Sequence, residues 1–127
     1  MVDSILIGKT IYNLLNSSDE LKKYVDNKIY PLVADEGVTF PFVVFYRTQI
    51  RNVVCKDGFY EDEVGFSVIA VSNKYLESLE IANIIRSIFE KKKLTETIYN
   101  CTVEDIDEDY KENAYIQQIY FNCKITQ

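Results

Sequence analysis

The residues of this chain best suited to chemistry are carboxylates. The run "DIDEDYKENAYI" sets Asp105, Asp107 and Asp109 at the alternate spacing that opens a calcium-binding loop. The pattern then stops. The position that needs glycine for the sharp turn is Tyr110, and the position that needs a bidentate Glu is Ile116. The run therefore reads as a solvated acidic hairpin turn, and no metal site is expected. A small hydrolase built on these carboxylates is the enzymatic alternative, but little supports it. The sequence has no histidine, which removes the commonest general base, the usual zinc ligand and every Ser–His or Cys–His nucleophile. Gly8, Gly37, Gly58 and Gly65 lie too far apart to form a phosphate-cradling loop. We expect no catalytic residue and no cofactor.

Other polar groups point to contact rather than catalysis. Arg47 and Arg51 share one strand face in an unbroken strand, with Gln49 between them, as a solvent-facing or partner-facing row. Cys55, Cys101 and Cys123 are odd in number and widely spaced, which fits neither a disulfide framework nor a zinc knuckle and implies a reducing, cytosolic setting. Asn100-Cys101-Thr102 matches a glycosylation triplet but reads as part of a strand. A net charge of -6 and a pI near 4.7 disfavour nucleic-acid binding, whose affinity comes mainly from Lys and Arg. The longest apolar run, Phe40 to Tyr46, is far short of a bilayer span, and the start of the chain lacks a basic signal-peptide region, so neither membrane nor export is implied.

The elements that must carry these groups follow from periodicity. With 127 residues, 47% of them hydrophobic and 27% charged, one globular domain over 1–127 is expected. Ile7, Ile11, Leu14 and Leu15 recur at helical spacing and predict a helix over residues 4–16. Ser17 stands three residues before Glu20, a capping-box spacing that opens a short second helix. "KIYPLV" is a strand interrupted by Pro31, which suits an edge or an end. "FPFVVFYRTQIRNVV" is apolar on both parities at first, which predicts cover on both faces there, with Phe42 and Val44 inward. Asp57-Gly58 marks a hairpin, and "EDEVGFSVIAVS" returns with Val64, Phe66, Val68 and Ala70 inward.

Ser72 or Asn73 caps the main helix, with Leu76, Leu79, Ala82, Ile85 and Phe89 along its buried stripe and Lys91–Lys93 at its C-terminal end. A final β-pair places Tyr99, Cys101 and Val103 on one face, turns through "DEDYKEN", and returns with Ile119, Phe121, Cys123 and Ile125 aligned around Gln117. The order is α-α-β-β-β-α-β-β. The class is α+β, a mainly antiparallel sheet with an N-terminal helix and one long helix packed on one face.

Read in order, "IYNLLNSSDELKKYVDNKIYPLVADEGVTFPFVVFYR", a hairpin, "VGFSVIAVSNKYLESLEIANIIRSIF" and a closing β-pair resemble the tail-completion, or tail-terminator, proteins of long-tailed bacteriophages and prophages. The matching positions are Ile29, Tyr30 and Pro31, then Pro41, Phe42, Val43 and Val44. The pattern spans about residues 5–90; after Cys101 only strand alternation continues it. The resemblance implies a non-enzymatic subunit of a ring, usually sixfold, that caps the tail tube and joins it to the head connector. It implies self-association, tail-tube and head-connector partners, no sequence-specific nucleic acid, and a place in the virion tail after assembly in the bacterial host cytoplasm. A generic adaptor or another head–tail connector subunit is the alternative. Pro31 and Pro41 would hold the loop at 34–39 rigidly against the strand that follows. An acidic balance suits a channel through which DNA slides. The expected interaction residues are Val53, Val54, Phe59 and Tyr60 on a projecting hairpin, with Arg47, Arg51, Asp105 and Glu108 as opposed charges on exposed strands.

Overall fold

A computed structural model describes residues 4–54, 58 and 60–126, with the backbone alone at Tyr60. A 3-10 turn, Ser4–Leu6, runs into α1 (Ile7–Asn16), and α2 (Asp19–Val25) follows. Next come β1 (Ile29–Pro31), β2 (Phe42–Val54), β3 (Tyr60–Ser72), α3 (Tyr75–Phe89), β4 (Lys91–Lys93), β5 (Ile98–Lys111) and β6 (Ala114–Thr126). The strands form one sheet in the order β1-β2-β3-β6-β5-β4, antiparallel except for the β1–β2 pair. The α+β class and the predicted element order hold, with β4 added.

The three helices cover one face of the sheet. Ile7, Ile11 and Leu15 of α1, Leu21 and Val25 of α2, and Ile81, Ile84, Ile85 and Phe89 of α3 are buried at helical spacing. They meet Val64, Phe66, Val68 and Ala70 of β3 and Ile119, Phe121, Cys123 and Ile125 of β6, in a continuous core cluster. At its centre Phe66 stacks on Phe121 with ring centroids 5.0 Å apart, and Phe89 tilts against both at 5.2 and 5.4 Å. These inward parities are those the alternation predicts.

On β2 the predicted parity is reversed. Val43 pairs with Ala70 and Phe45 with Val68, so these two face the helices, while Phe42 and Val44 lie on the opposite face. The cause is a bulge between Arg47 and Gln49, where Thr48 is the extra residue. Counting back by twos from the core-packed Ile50 lands on Val44 and Phe42, and the inserted residue shifts that count by one. Gly65 lies across from the bulge because a Cβ there would collide with Thr48 Oγ1. Leu79 is likewise not core: it is 37% exposed, and Leu76 70%, since the α3 stripe centres on Ile81 and Ile85.

The element ends also differ from expectation. Ser18 rather than Ser17 caps α2, its hydroxyl accepting from the Leu21 N–H at 3.2 Å, while Ser17 Oγ donates back to the Asn13 carbonyl at 2.6 Å. Lys74 occupies the N-cap position of α3 without a side-chain cap; Ser72 Oγ instead accepts from the Lys74 N–H and donates to Glu77. Lys91–Lys93 leave the helix and form β4 against β5, as lysines commonly do on sheet edges. Asn100, at φ 51°, interrupts the β5 register, so Ile98 and Cys101 are buried and Tyr99 turns outward to Glu61. The supposed acidic turn is strand. β5 continues to Lys111, and the turn is Glu112-Asn113, both at positive φ (54° and 64°), the geometry of a tight primed hairpin.

Candidate interaction surface

Helices cover only one face of the sheet, so the other is open except for the loop at 32–41. That loop leaves β1 with Leu32 at φ 64°, is held by Lys28 Nζ donating to the Thr39 carbonyl at 3.1 Å, and enters β2 through a cis Phe40-Pro41 bond. Phe40 stacks on Phe42 with centroids 5.8 Å apart. Between loop and sheet lies a groove of about 670 Å³, floored by Phe42, Val44, Ile69, Val71 and Ile116 and walled by Asp107 and Asp109. Leu32 and Val33 stand at its rim, each 75% exposed. The apolar character of β2 on both parities predicts cover on both faces. The structure supplies it on both where β2 begins: Val43 and Phe45 are buried under the helices, and Val44 on the other face is buried as well, at 9% exposure. The groove that remains beside it is a surface that the predicted site residues did not include. The signal was the double parity itself.

A polar band lies beside this groove. Gln118 Nε2 donates to Tyr46 Oη at 2.8 Å and to Ser67 Oγ at 3.0 Å across three strands. The Tyr120 hydroxyl beyond it is pushed above its ordinary pKa, first by burial and then by Tyr46 and Asp107.

Among the described residues, the predicted charged contacts lie on different faces of the sheet. Arg47 pairs with Phe66 and faces the helix side, where Nη1 donates to the Ile5 carbonyl at 3.3 Å. Arg51 lies beyond the bulge on the open face, ion-paired with Glu63. The expected shared face is thus broken by Thr48. Asp105, Asp107 and Asp109 are on the open face, spaced along an extended strand rather than wrapped as a loop. Glu108 faces the helix side. It accepts from Gln117 Nε2 at 2.8 Å and from the Tyr75 hydroxyl; these bonds, Gln117 first, hold its carboxyl below the usual range, while the same carboxylate raises the Tyr75 pKa.

Val53 is half-buried and Val54 is 64% exposed near the end of the β2–β3 hairpin. Gly58 sits at φ 85°, while Phe59, Asp57 and Cys55 lie outside the described residues, as does the side chain of Tyr60. Cys101 and Cys123 are buried; the Cys101 thiol is pushed up by its contact with Cys123 and then by burial, which keeps it unreactive. Among the described residues no group of three His, Cys, Asp or Glu side chains is placed to hold a metal, and no helix is long and apolar enough to cross a membrane.

No family model and no curated protein matches the sequence. The fold has solved counterparts. A chain of the "virion of native gene transfer agent (GTA) particle" superposes with a TM-score of 0.78, covering 92% of each chain at 10% sequence identity. At that identity the likeness establishes a shared fold.

Proposed function

We propose that the chain is a structural, non-enzymatic virion protein: a tail-completion subunit that forms a ring, caps the tail tube and joins it to the head connector. The observation that carries this reading is the end-to-end fold likeness, 92% of each chain, to a component of a gene transfer agent virion. The ordered motif around Ile29-Tyr30-Pro31 and Pro41-Phe42-Val43-Val44 supports it independently, since it comes from sequence alone. Its partners are further copies of itself, in a ring that the resemblance to tail-completion proteins implies is sixfold, the tail-tube protein and the connector. Its place is the virion tail, assembled in the host cytoplasm, with residues 1–127 acting as one domain.

The chemistry of the surface fits such a role. The open face offers an apolar groove beside a row of carboxylates, which favours partner contact while repelling the phosphate backbone. Electron microscopy of the protein mixed with purified tails lacking it tests the reading. Rings seated at one end of the tube are expected. Tubes left bare, with the protein bound only to connectors, would replace it with an adaptor role. Removing residues 55–60 should leave the remaining fold intact and abolish seating on tails.

A further inference from the structure

The two edges of the sheet are each only partly covered, at opposite ends. β1 pairs with β2 at Val43–Phe45 alone, and β4 pairs with β5 at Tyr99 and Cys101 alone. Among the described residues no strand lies outside Tyr46–Val54 of β2 or outside Thr102–Lys111 of β5. Among the described residues, their backbone groups on that side are open to another strand.

The two free stretches are opposite in charge. Tyr46–Val54 carries Arg47 and Arg51 and no carboxylate, whereas Thr102–Lys111 carries Glu104, Asp105, Asp107, Glu108 and Asp109 against Lys111 alone. Every residue from Glu104 to Lys111 is exposed, and the Arg51 side chain is 68% exposed with donors to spare beyond its bond to Glu63. Direction also agrees. β2 is antiparallel to β3, β3 to β6 and β6 to β5, so β2 and β5 of copies set side by side in the same sense run antiparallel.

We propose that the free edge of β2 in one copy pairs with the free edge of β5 in the next, joining neighbouring sheets head to tail; this rests on the ring reading and names its interface. Charge selects this arrangement over two-fold pairing. Two β5 edges would set carboxylate against carboxylate, and two β2 edges Arg against Arg.

The short strands determine the stagger. Phe45, Val68, Ile119 and Ile106 lie on one level across the sheet; β2 is free on one side of that level only, whereas the free stretch of β5 straddles it, Thr102–Asp105 on the same side and Asp107–Lys111 on the side where β1 covers β2. Bringing the free stretches into full overlap takes a shift of about five to seven residues, roughly 17–23 Å at ~3.3 Å per residue. Four strands per copy span about 19 Å at ~4.8 Å spacing, so the strands would lean roughly 40–50° from the ring axis, near the tilt of closed barrels. β1 and β4 would then abut the ends of the joint and act as register stops.

Two charge-reversed proteins test the joint: Arg47→Glu/Arg51→Glu, and Asp105→Lys/Asp107→Lys/Asp109→Lys, each checked for its fold by circular dichroism. In sedimentation across a concentration series, each alone should associate at least about tenfold more weakly than the native chain. An equimolar mixture should regain association, because every β2 edge then meets a β5 edge of opposite sign. As an independent readout, amide exchange of native Thr102–Lys111 should slow as concentration rises. If the native chain associates but both variants match it, or the mixture fails to recover, or those amides stay unprotected, edge pairing is wrong and the ring reading stands. A native chain that remains monomeric at every concentration and on purified tails would overturn both.

Discussion

Phe89→Ala probes the joint between α3 and the sheet. Phe89 is fully buried at the last turn of α3 and tilts against Phe66 and Phe121. Truncation removes about 100 Å² of apolar surface from the core, roughly 2.5 kcal/mol at ~25 cal/mol per Å². The void adds a term of similar size, because two rigid neighbouring rings limit collapse, and the measured range for such changes is about 3–5 kcal/mol. For a chain of this length each kcal/mol moves the midpoint by about 3–5 °C, so a fall of roughly 10–20 °C is expected. Leu79→Ala is the control. Leu79 is 37% exposed on the same helix, and its truncation should cost less than about 1.5 kcal/mol. Urea and thermal melts of both variants decide the matter: a Phe89→Ala melt within one or two degrees of native, or a Leu79→Ala loss as large as that of Phe89, would refute this account of the core.

The inverted parity of β2 predicts that Phe45→Ala costs about 3–5 kcal/mol while Phe42→Ala costs clearly less, since only Phe45 lies beneath the helices; equal losses in denaturant melts would restore the regular strand. Gly65→Ala should destabilise by about 1–3 kcal/mol through collision with Thr48 Oγ1, and adding Thr48→Ala should recover part of the loss, as a double-mutant cycle will measure. Glu108 has a lowered native pKa, so its contribution is present above the ordinary carboxylate pKa and is lost as pH falls through the lower native value. Native and Glu108→Gln stabilities, compared by urea titration at several pH values, should therefore differ near neutrality and converge at strongly acidic pH; a gap that widens on acidification would contradict the assignment.

Periodicity and residue type were enough to read much of this molecule. The alternation of Val64, Phe66, Val68 and Ala70, the helical spacing of Ile7, Ile11 and Leu15, and the placement of Pro31 on an edge all depend on neighbours a few residues away, and there local pattern and tertiary burial agree. The lack of histidine needed no structure at all. Tertiary structure decided the rest. Thr48 is surplus only relative to β3, so the faces of Arg47 and Arg51 depended on a partner strand distant in sequence. Lys91–Lys93 could extend a helix by charge and propensity but instead find backbone partners on β5, and "DEDYK" stays extended because β6 supplies its hydrogen bonds. The open groove and the diagonal pair of free edges arise from where β1 and β4 stop. Those limits come from pairing across the sheet, which leaves no periodic mark in either strand's own sequence.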